Sequence, residues 1–196
     1  MGAALRARGS RVLRREDGFG LIELTISMAM LSVALLALVA ALSSGVVTLQ
    51  RAGASGTAGT LADRQMEKYR AIKYDAIMLD TTALNTAATS PPAPNIYTSD
   101  PGRDAGNPTS AYNAGTAVSG TCALTAWPDP CNPIQNLTSA QTPDKRTYRV
   151  DTYINTYTPP GGRALKVITV VVRDANQPTG PNLARLQSRF DQATGE

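Results

Sequence analysis

The sequence predicts an α+β fold in which one long N-terminal helix packs on a small antiparallel sheet of about three to four strands. Two observations support this prediction. No proline occurs between Phe19 and Pro91, so nothing forces a helix to break there. Near the C-terminus, stretches rich in β-branched and aromatic residues alternate with turns that contain proline and glycine. An amphipathic helix that covers such strands forms a two-layer domain.

The first half of the predicted helix, residues 19–50, is apolar enough to cross a membrane. The stretch from Leu24 to Leu42 would be about 28 Å long at about 1.5 Å per residue, which matches a hydrocarbon core. Its serines and many alanines leave the helix slim, so it can pack against copies of itself.

Charge is distributed unevenly between residues 1–18 and the rest of the chain. The whole chain carries 19 basic and 15 acidic residues. Residues 1–18 hold five of the arginines and two of the acids, so residues 19–196 are nearly neutral. The basic balance therefore does not indicate a nucleic-acid partner. An arginine cluster just before an apolar helix marks the cytoplasmic side, which predicts that the bulk of the chain lies outside the membrane.

The second half of the helix, predicted to span residues 51–80, is amphipathic. Its apolar residues recur at helical spacing and are expected to pack on a sheet: Ala58, Leu61, Ala62, Met66, Tyr69 and Ile72. Four glycines should weaken the middle of the helix, so a bend or partial melting is expected there: Gly45, Gly53, Gly56 and Gly59.

Residues 81–145 are predicted to be an irregular, exposed region, because they are rich in Thr, Ala, Asn, Pro and Gly. Cys122 and Cys131 lie close together in it, and an oxidising compartment favours a disulfide between them over two free thiols. Trp127 lies between the two cysteines. It is either an exposed binding residue or, as we favour, part of the core.

Residues 146–196 are predicted to form the antiparallel sheet. Residues 147–157 alternate in polarity, and residues 164–172 are almost continuously β-branched, as in a central strand. A third strand is predicted over 182–190, after a turn around Pro178.

Glu23 requires an explanation, because an acidic side chain costs about 2.5–3.5 kcal/mol at a bilayer centre and somewhat less near its edge. Cleavage after Gly18 would give Phe19 a cationic α-amino group four residues from Glu23. An amine and a carboxylate can neutralise each other in apolar surroundings, and a pair between subunits would also fix their register.

These residues resemble the signal and N-methylation motif of type IV pilins and pseudopilins. The match consists of Gly18, Phe19, Leu21, Ile22 and Glu23, with Gly20 in place of the usual threonine. The resemblance implies that a prepilin peptidase removes residues 1–18 as a leader and methylates the Phe19 nitrogen. It also implies that Glu23 pairs with the Phe19 amine of a neighbouring subunit.

The predicted function is therefore a structural subunit, a minor pilin or pseudopilin of a pilus, a secretion pseudopilus or a DNA-uptake filament. The predicted partners are other pilin subunits, prepilin peptidase and assembly machinery in the cytoplasmic membrane. The alternative is a signal-anchored surface adhesin that does not polymerise. An ordinary secretory signal explains the basic start but not Glu23. The chain has no histidine, and its spacing suggests no nucleophile or metal site, so no catalysis and no cofactor are predicted.

Overall fold

A computed structural model of the protein describes residues 20–90, 95–100, 117–122 and 127–192. The order of elements along the chain is α1 (Leu21–Arg70), a 3₁₀ turn (Tyr74–Ala76), β1 (Leu79–Asp80), α2 (Thr81–Thr89), α3 (Ile96–Ser99), β2 (Ser119–Gly120), β3 (Ile134–Leu137), β4 (Tyr148–Tyr157), β5 (Leu165–Asp174) and β6 (Ala184–Phe190). A long N-terminal helix followed by a four-stranded antiparallel sheet confirms the predicted α+β class. The chain divides into two compact units, one ending at Thr48 and the other beginning at Leu49.

The long helix corrects two expectations. α1 is continuous from Leu21 to Arg70, so the partial melting expected at its glycines is wrong, while the alternative of a bend stays a prediction. A Cβ added at any of the four glycines would find no atom within 4 Å, so close packing does not require glycine there. The helix stays continuous although each glycine has a lower helix propensity than alanine. The helix also ends at Arg70 rather than near residue 80. Ile77 and Leu79 are buried in the core, and the Leu79 N–H donates to the Val118 carbonyl at 3.0 Å, which draws this segment out of the helix.

The main sheet is an antiparallel meander with the order β3-β4-β5-β6. The central pair, β4 and β5, is in register over all ten residues, from Tyr148 opposite Asp174 to Tyr157 opposite Leu165. The three strands predicted near the C-terminus are confirmed as β4, β5 and β6. β3 was not predicted, because its four residues lie in a polar, proline-containing stretch and show no alternation of their own.

One face of the sheet packs against α1. Alternate residues of the central strands point to this side. The Tyr148 hydroxyl, for example, lies 3.5 Å from the Ala54 carbonyl of the helix. The predicted apolar stripe of α1 joins the same core, since all of its residues up to Tyr69 are buried and Ile72 is half-buried.

The opposite face of the sheet is covered by the segment that contains α2 and α3. Tyr97 of α3 stacks on Tyr153 of β4 with ring centroids 4.5 Å apart. The Tyr97 hydroxyl donates to the Thr152 carbonyl at 2.8 Å. Residues 81–145 are therefore not irregular throughout, and parts of the region belong to the core. The side chains of Asp80 and Asn95 accept from N–H groups in the first turns of α2 and α3, which stabilises these short helices.

Candidate membrane and assembly helix

The N-terminal half of α1 is an apolar surface that no other described part of the chain covers. Every residue from 20 to 53 is exposed, including Leu21 at 87% and Leu49 at 74%. Among the described residues, this is one helix long and apolar enough to cross a membrane. Exposure of so many large apolar side chains calls for a partner that is itself apolar.

Five of the hydroxyl groups in this apolar half have partners within the helix. The Ser27 hydroxyl donates to the Glu23 carbonyl at 2.8 Å, and Ser32 and Ser43 make the same bond to the carbonyl one turn earlier. Thr25 and Thr48 are bonded in the same way. Their polar atoms therefore do not require water, which suits a lipid environment or a dry helix bundle.

Glu23 lies in the first turn of α1. Its N–H donates to the Gly20 carbonyl at 3.0 Å, and its side chain projects from an otherwise apolar segment. A carboxylate at this end of a helix is favoured by the helix dipole. None of the ion pairs within the described residues includes Glu23. Gly18 and Phe19, the predicted processing site, lie outside the described residues.

The second half of α1 is held by buried hydrogen bonds as well as by apolar packing. The Tyr69 hydroxyl donates to the Pro130 carbonyl at 2.7 Å, and the Gln65 amide donates to the Asp129 carbonyl at 3.0 Å. Gln65 was not recognised in the sequence, because a glutamine beside an apolar stripe usually faces solvent. Both bonds anchor the helix to the loop before β3.

That loop contains the disulfide. Cys122 and Cys131 are bonded, with their Cα atoms 5.6 Å apart, as the sequence predicted. The Cys131 carbonyl accepts from the Asp80 N–H at 2.8 Å, so the loop also holds the start of α2. Trp127 is half-buried against the core, and the Arg64 guanidinium lies 6.0 Å from its ring centroid. The favoured core position of Trp127 agrees with this packing.

A buried charged cluster on the second face of the sheet was not predicted. Arg149 Nε donates to Asp151 at 2.7 Å, Arg173 lies 3.4 Å from the other Asp151 oxygen, and Arg173 also pairs with Asp100. Burial raises the pKa of Asp151 to about 6, although Arg149 opposes the shift. Burial also lowers the pKa of Arg173. The alternation of polarity along this strand does not reveal that the face is covered, whereas the structure brings Asp100, the residue after α3, onto Arg173 of β5.

The fold and the helix define a class: a protein whose long N-terminal helix is apolar and exposed in its first half and is followed by a four-stranded antiparallel sheet. Residues 13–39 match the family model of the prokaryotic N-terminal methylation motif, the signature of type IV pilins and pseudopilins. The N-terminal part of the chain therefore resembles that of type IV pilins and pseudopilins. Searches of curated proteins and of solved structures found no significant match.

Proposed function

We propose that the protein is a minor pilin or pseudopilin, which is cleaved by prepilin peptidase and then assembled into a filament through its N-terminal helix. One observation carries this proposal. The matched motif extends into the exposed, apolar half of α1, and the first turn of this helix holds a single carboxylate, Glu23. A membrane alone accounts for the apolar surface but gives no reason for the acid.

The processing step falls between Gly18 and Phe19. Hydrolysis of this peptide bond would release residues 1–18 with the arginine cluster and leave a new α-amino group on Phe19. Gly18 suits a peptidase because it has no side chain to obstruct the scissile bond. Methylation of the Phe19 nitrogen would keep its positive charge, since a secondary amine remains basic.

The assembly step pairs Glu23 with the Phe19 amine of a neighbouring subunit. Burial of either charge alone is unfavourable, whereas the pair is stabilised when subunits are in the correct register. The small and apolar residues between Leu24 and Leu49 would then form the contacts between helices. Addition of subunits out of register would leave a carboxylate unpaired in the filament core.

The proposed location is the cytoplasmic membrane before assembly and a cell-surface filament or pseudopilus afterwards, with the unit from Leu49 onward outside. The helical core would use residues 19–50, and the rest of α1, residues 51–70, would connect it to the sheet. The partners are other pilin subunits, prepilin peptidase and the membrane assembly machinery.

Processing is tested by intact-mass and N-terminal analysis of protein from membranes and from sheared surface material. We expect a chain that begins with N-methylated Phe19. Gly18→Leu should retain the leader, whereas Gly20→Ala, a matched change two residues beyond the bond, should still be cleaved. A native chain that retains Met1 or begins beyond Leu42 would instead support an anchored adhesin or a secretory signal.

Assembly is tested separately with Glu23→Gln. This variant should be cleaved normally and reach the membrane but be missing from sheared filaments, because the neutral amide cannot balance the Phe19 amine. Glu23→Asp preserves the charge and should assemble better than Glu23→Gln. Equal incorporation of the Gln variant and the parent would refute the proposed pairing.

A further inference from the structure

A cavity of about 500 Å³ lies beside the part of α1 that follows the apolar run. Its walls come from α1, from Arg146 before β4, and from the end of β5 with the turn that leads to β6. This volume is within the range of small-molecule pockets, about 300–1,000 Å³. The proposed filament function leaves the cavity unused.

The walls of this cavity carry charges of both signs. Arg51 and Arg146 supply two guanidinium groups, and Asp174 supplies a carboxylate. No ion pair among the described residues involves either arginine. Guanidinium groups bind phosphate oxygens through paired hydrogen bonds, and a carboxylate binds an ammonium group.

The backbones that present these side chains are fixed. Arg51 lies on a continuous helix. The Arg146 carbonyl accepts from the Thr142 hydroxyl at 2.6 Å, and the Arg146 N–H donates to the Asp144 carboxylate at 3.3 Å. One oxygen of Asp174 accepts from the Asn176 N–H at 2.8 Å. The backbone of the site and the Asp174 carboxylate are therefore held before a ligand arrives, and only the two arginine side chains would have to be ordered on binding.

The position of Arg51 in the chain brings the cavity to the membrane surface. Arg51 is the first charged residue after Glu23, and 27 uncharged residues separate them in the sequence. A helical segment of this length is enough to cross a bilayer, which is about 40–45 Å thick with its headgroups. A chain that crosses with Glu23 at the cytoplasmic edge would therefore have Arg51 as its first charge available to the outer headgroups.

We propose that this cavity binds the headgroup of a zwitterionic phospholipid, with Arg51 and Arg146 on the phosphate and Asp174 on a primary ammonium group such as that of phosphatidylethanolamine. The proposal rests on the membrane residence included in the proposed function but not on cleavage or polymerisation. The bound lipid would hold the outer unit against the membrane before the subunit is extracted.

The test uses the full-length protein in a mild detergent, titrated with phosphatidylethanolamine or phosphatidylcholine of identical acyl chains. Native mass spectrometry measures the fraction with bound lipid. Phosphatidylethanolamine should bind more tightly, because the quaternary ammonium of phosphatidylcholine cannot donate a hydrogen bond to Asp174. Asp174→Asn should abolish this difference between the two lipids.

Arg51→Gln and Arg146→Gln should each weaken lipid binding about five-fold, the effect of about one basic residue near a headgroup. Arg51→Lys should restore much of the binding. Arg163→Gln is the matched control, because Arg163 is exposed in the turn before β5 and does not line this cavity. A double variant that carries both Arg51→Gln and Arg146→Gln should lose most of the lipid binding. Unchanged binding by this double variant, or a loss in Arg163→Gln as large as in the single variants, would overturn the proposal.

Inorganic phosphate alone, added in large excess, distinguishes a lipid from a soluble anion. It should leave bound phosphatidylethanolamine in place, and displacement would reassign the cavity to free phosphate and overturn the lipid proposal. The intact mass in the same spectra shows whether the chain begins at Phe19. Failure of processing and failure of lipid binding are therefore read independently.

Discussion

Tyr69 shows how a single polar group can fix the position of a helix. Its ring is fully buried in the apolar core, while its hydroxyl reaches the Pro130 carbonyl in the loop before β3. Burial raises the pKa of this hydroxyl well above its usual range, so it remains a neutral donor. The bond specifies where the helix lies against the loop, which apolar packing alone would leave less defined.

Tyr69→Phe should lower the free energy of unfolding by about 1–2 kcal/mol, because the Pro130 carbonyl would remain buried without its donor. The measurement is urea unfolding of the detergent-solubilised protein, followed by fluorescence of Trp127, the only tryptophan. Tyr74→Phe is the control, since its hydroxyl makes only a long, 3.4 Å bond at the surface. Equal losses in the two variants would contradict a specific role for the buried bond.

Asp151 should make stability depend on pH. The folded chain holds its proton more tightly than the unfolded chain, because the pKa rises from 3.8 to about 6. This contribution to stability is therefore present at acid pH and is lost as the pH rises from about 4 to about 6. Asp151→Asn removes the titration, so its unfolding free energy should fall less across this interval than that of the parent.

The comparison of the parent with Asp151→Asn separates the effect of Asp151 on the pH dependence of stability from the effects of other acids. Burial also raises the pKa of Asp129, but that residue is present in both proteins and cancels in the difference. Hydrogen bonds from Tyr148 and Arg146 lower the pKa of Asp144 despite the opposing effect of burial, so its contribution is lost only at more acid pH. Parallel pH profiles for parent and variant would show that Asp151 keeps an ordinary pKa.

At the level of elements, α1 combines two environments in one uninterrupted helix. Its first part is apolar and exposed, whereas buried residues begin at Ala54 and continue to Tyr69. The glycines do not divide these parts. They lower the intrinsic stability of the helix while leaving its hydrogen-bonded backbone continuous.

Gly56→Ala should therefore stabilise the protein by about 0.5–1 kcal/mol, because an alanine side chain finds no atom within 4 Å and restricts the unfolded chain. Thermal unfolding monitored by Trp127 fluorescence would measure the gain. Gly161→Ala is the opposing control. Gly161 has φ of +72°, where a side chain is strained, so this variant should lose about 1–2 kcal/mol. A loss in Gly56→Ala would indicate that the glycine serves a contact between subunits or a bend.

Elements with a strong local pattern were predictable, and those without one were not. β5 is β-branched and nearly continuous, and the stripe of α1 has helical spacing, so both were found from the sequence. α2 and α3 were missed because their threonines, alanines and asparagines have weak preferences. Their helices are stabilised by capping and by burial of Leu84, Ala87 and Tyr97, which no local pattern reveals.

For the whole molecule, the core lies entirely in the unit that begins at Leu49. Every buried apolar residue of the described chain is at or beyond Ala54. The disulfide, the four-stranded sheet and the anchoring bonds of α1 also belong to this unit. Its stability should therefore not depend on the apolar segment.

A chain that begins at Leu49 and is exported to an oxidising compartment should fold as a soluble monomer. Circular dichroism should show cooperative unfolding, and light scattering after size exclusion should give the monomer mass. The same chain should not enter filaments, because it lacks both Glu23 and the apolar helix surface. Aggregation, or loss of cooperative unfolding, would show that the N-terminal half contributes to the fold.

The sequence by itself determined the features that depend on local composition: the N-terminal methylation motif within residues 13–39, the apolar helix with Glu23, and the strongest strands. Each of these features is defined by neighbouring residues and their spacing. Only the tertiary structure revealed the covering of the second sheet face, the buried charges of Asp151 and Arg173, and the cavity at Arg51. These depend on contacts between residues far apart in the chain, and burial, which changes pKa values and creates binding sites, exists only after those contacts form.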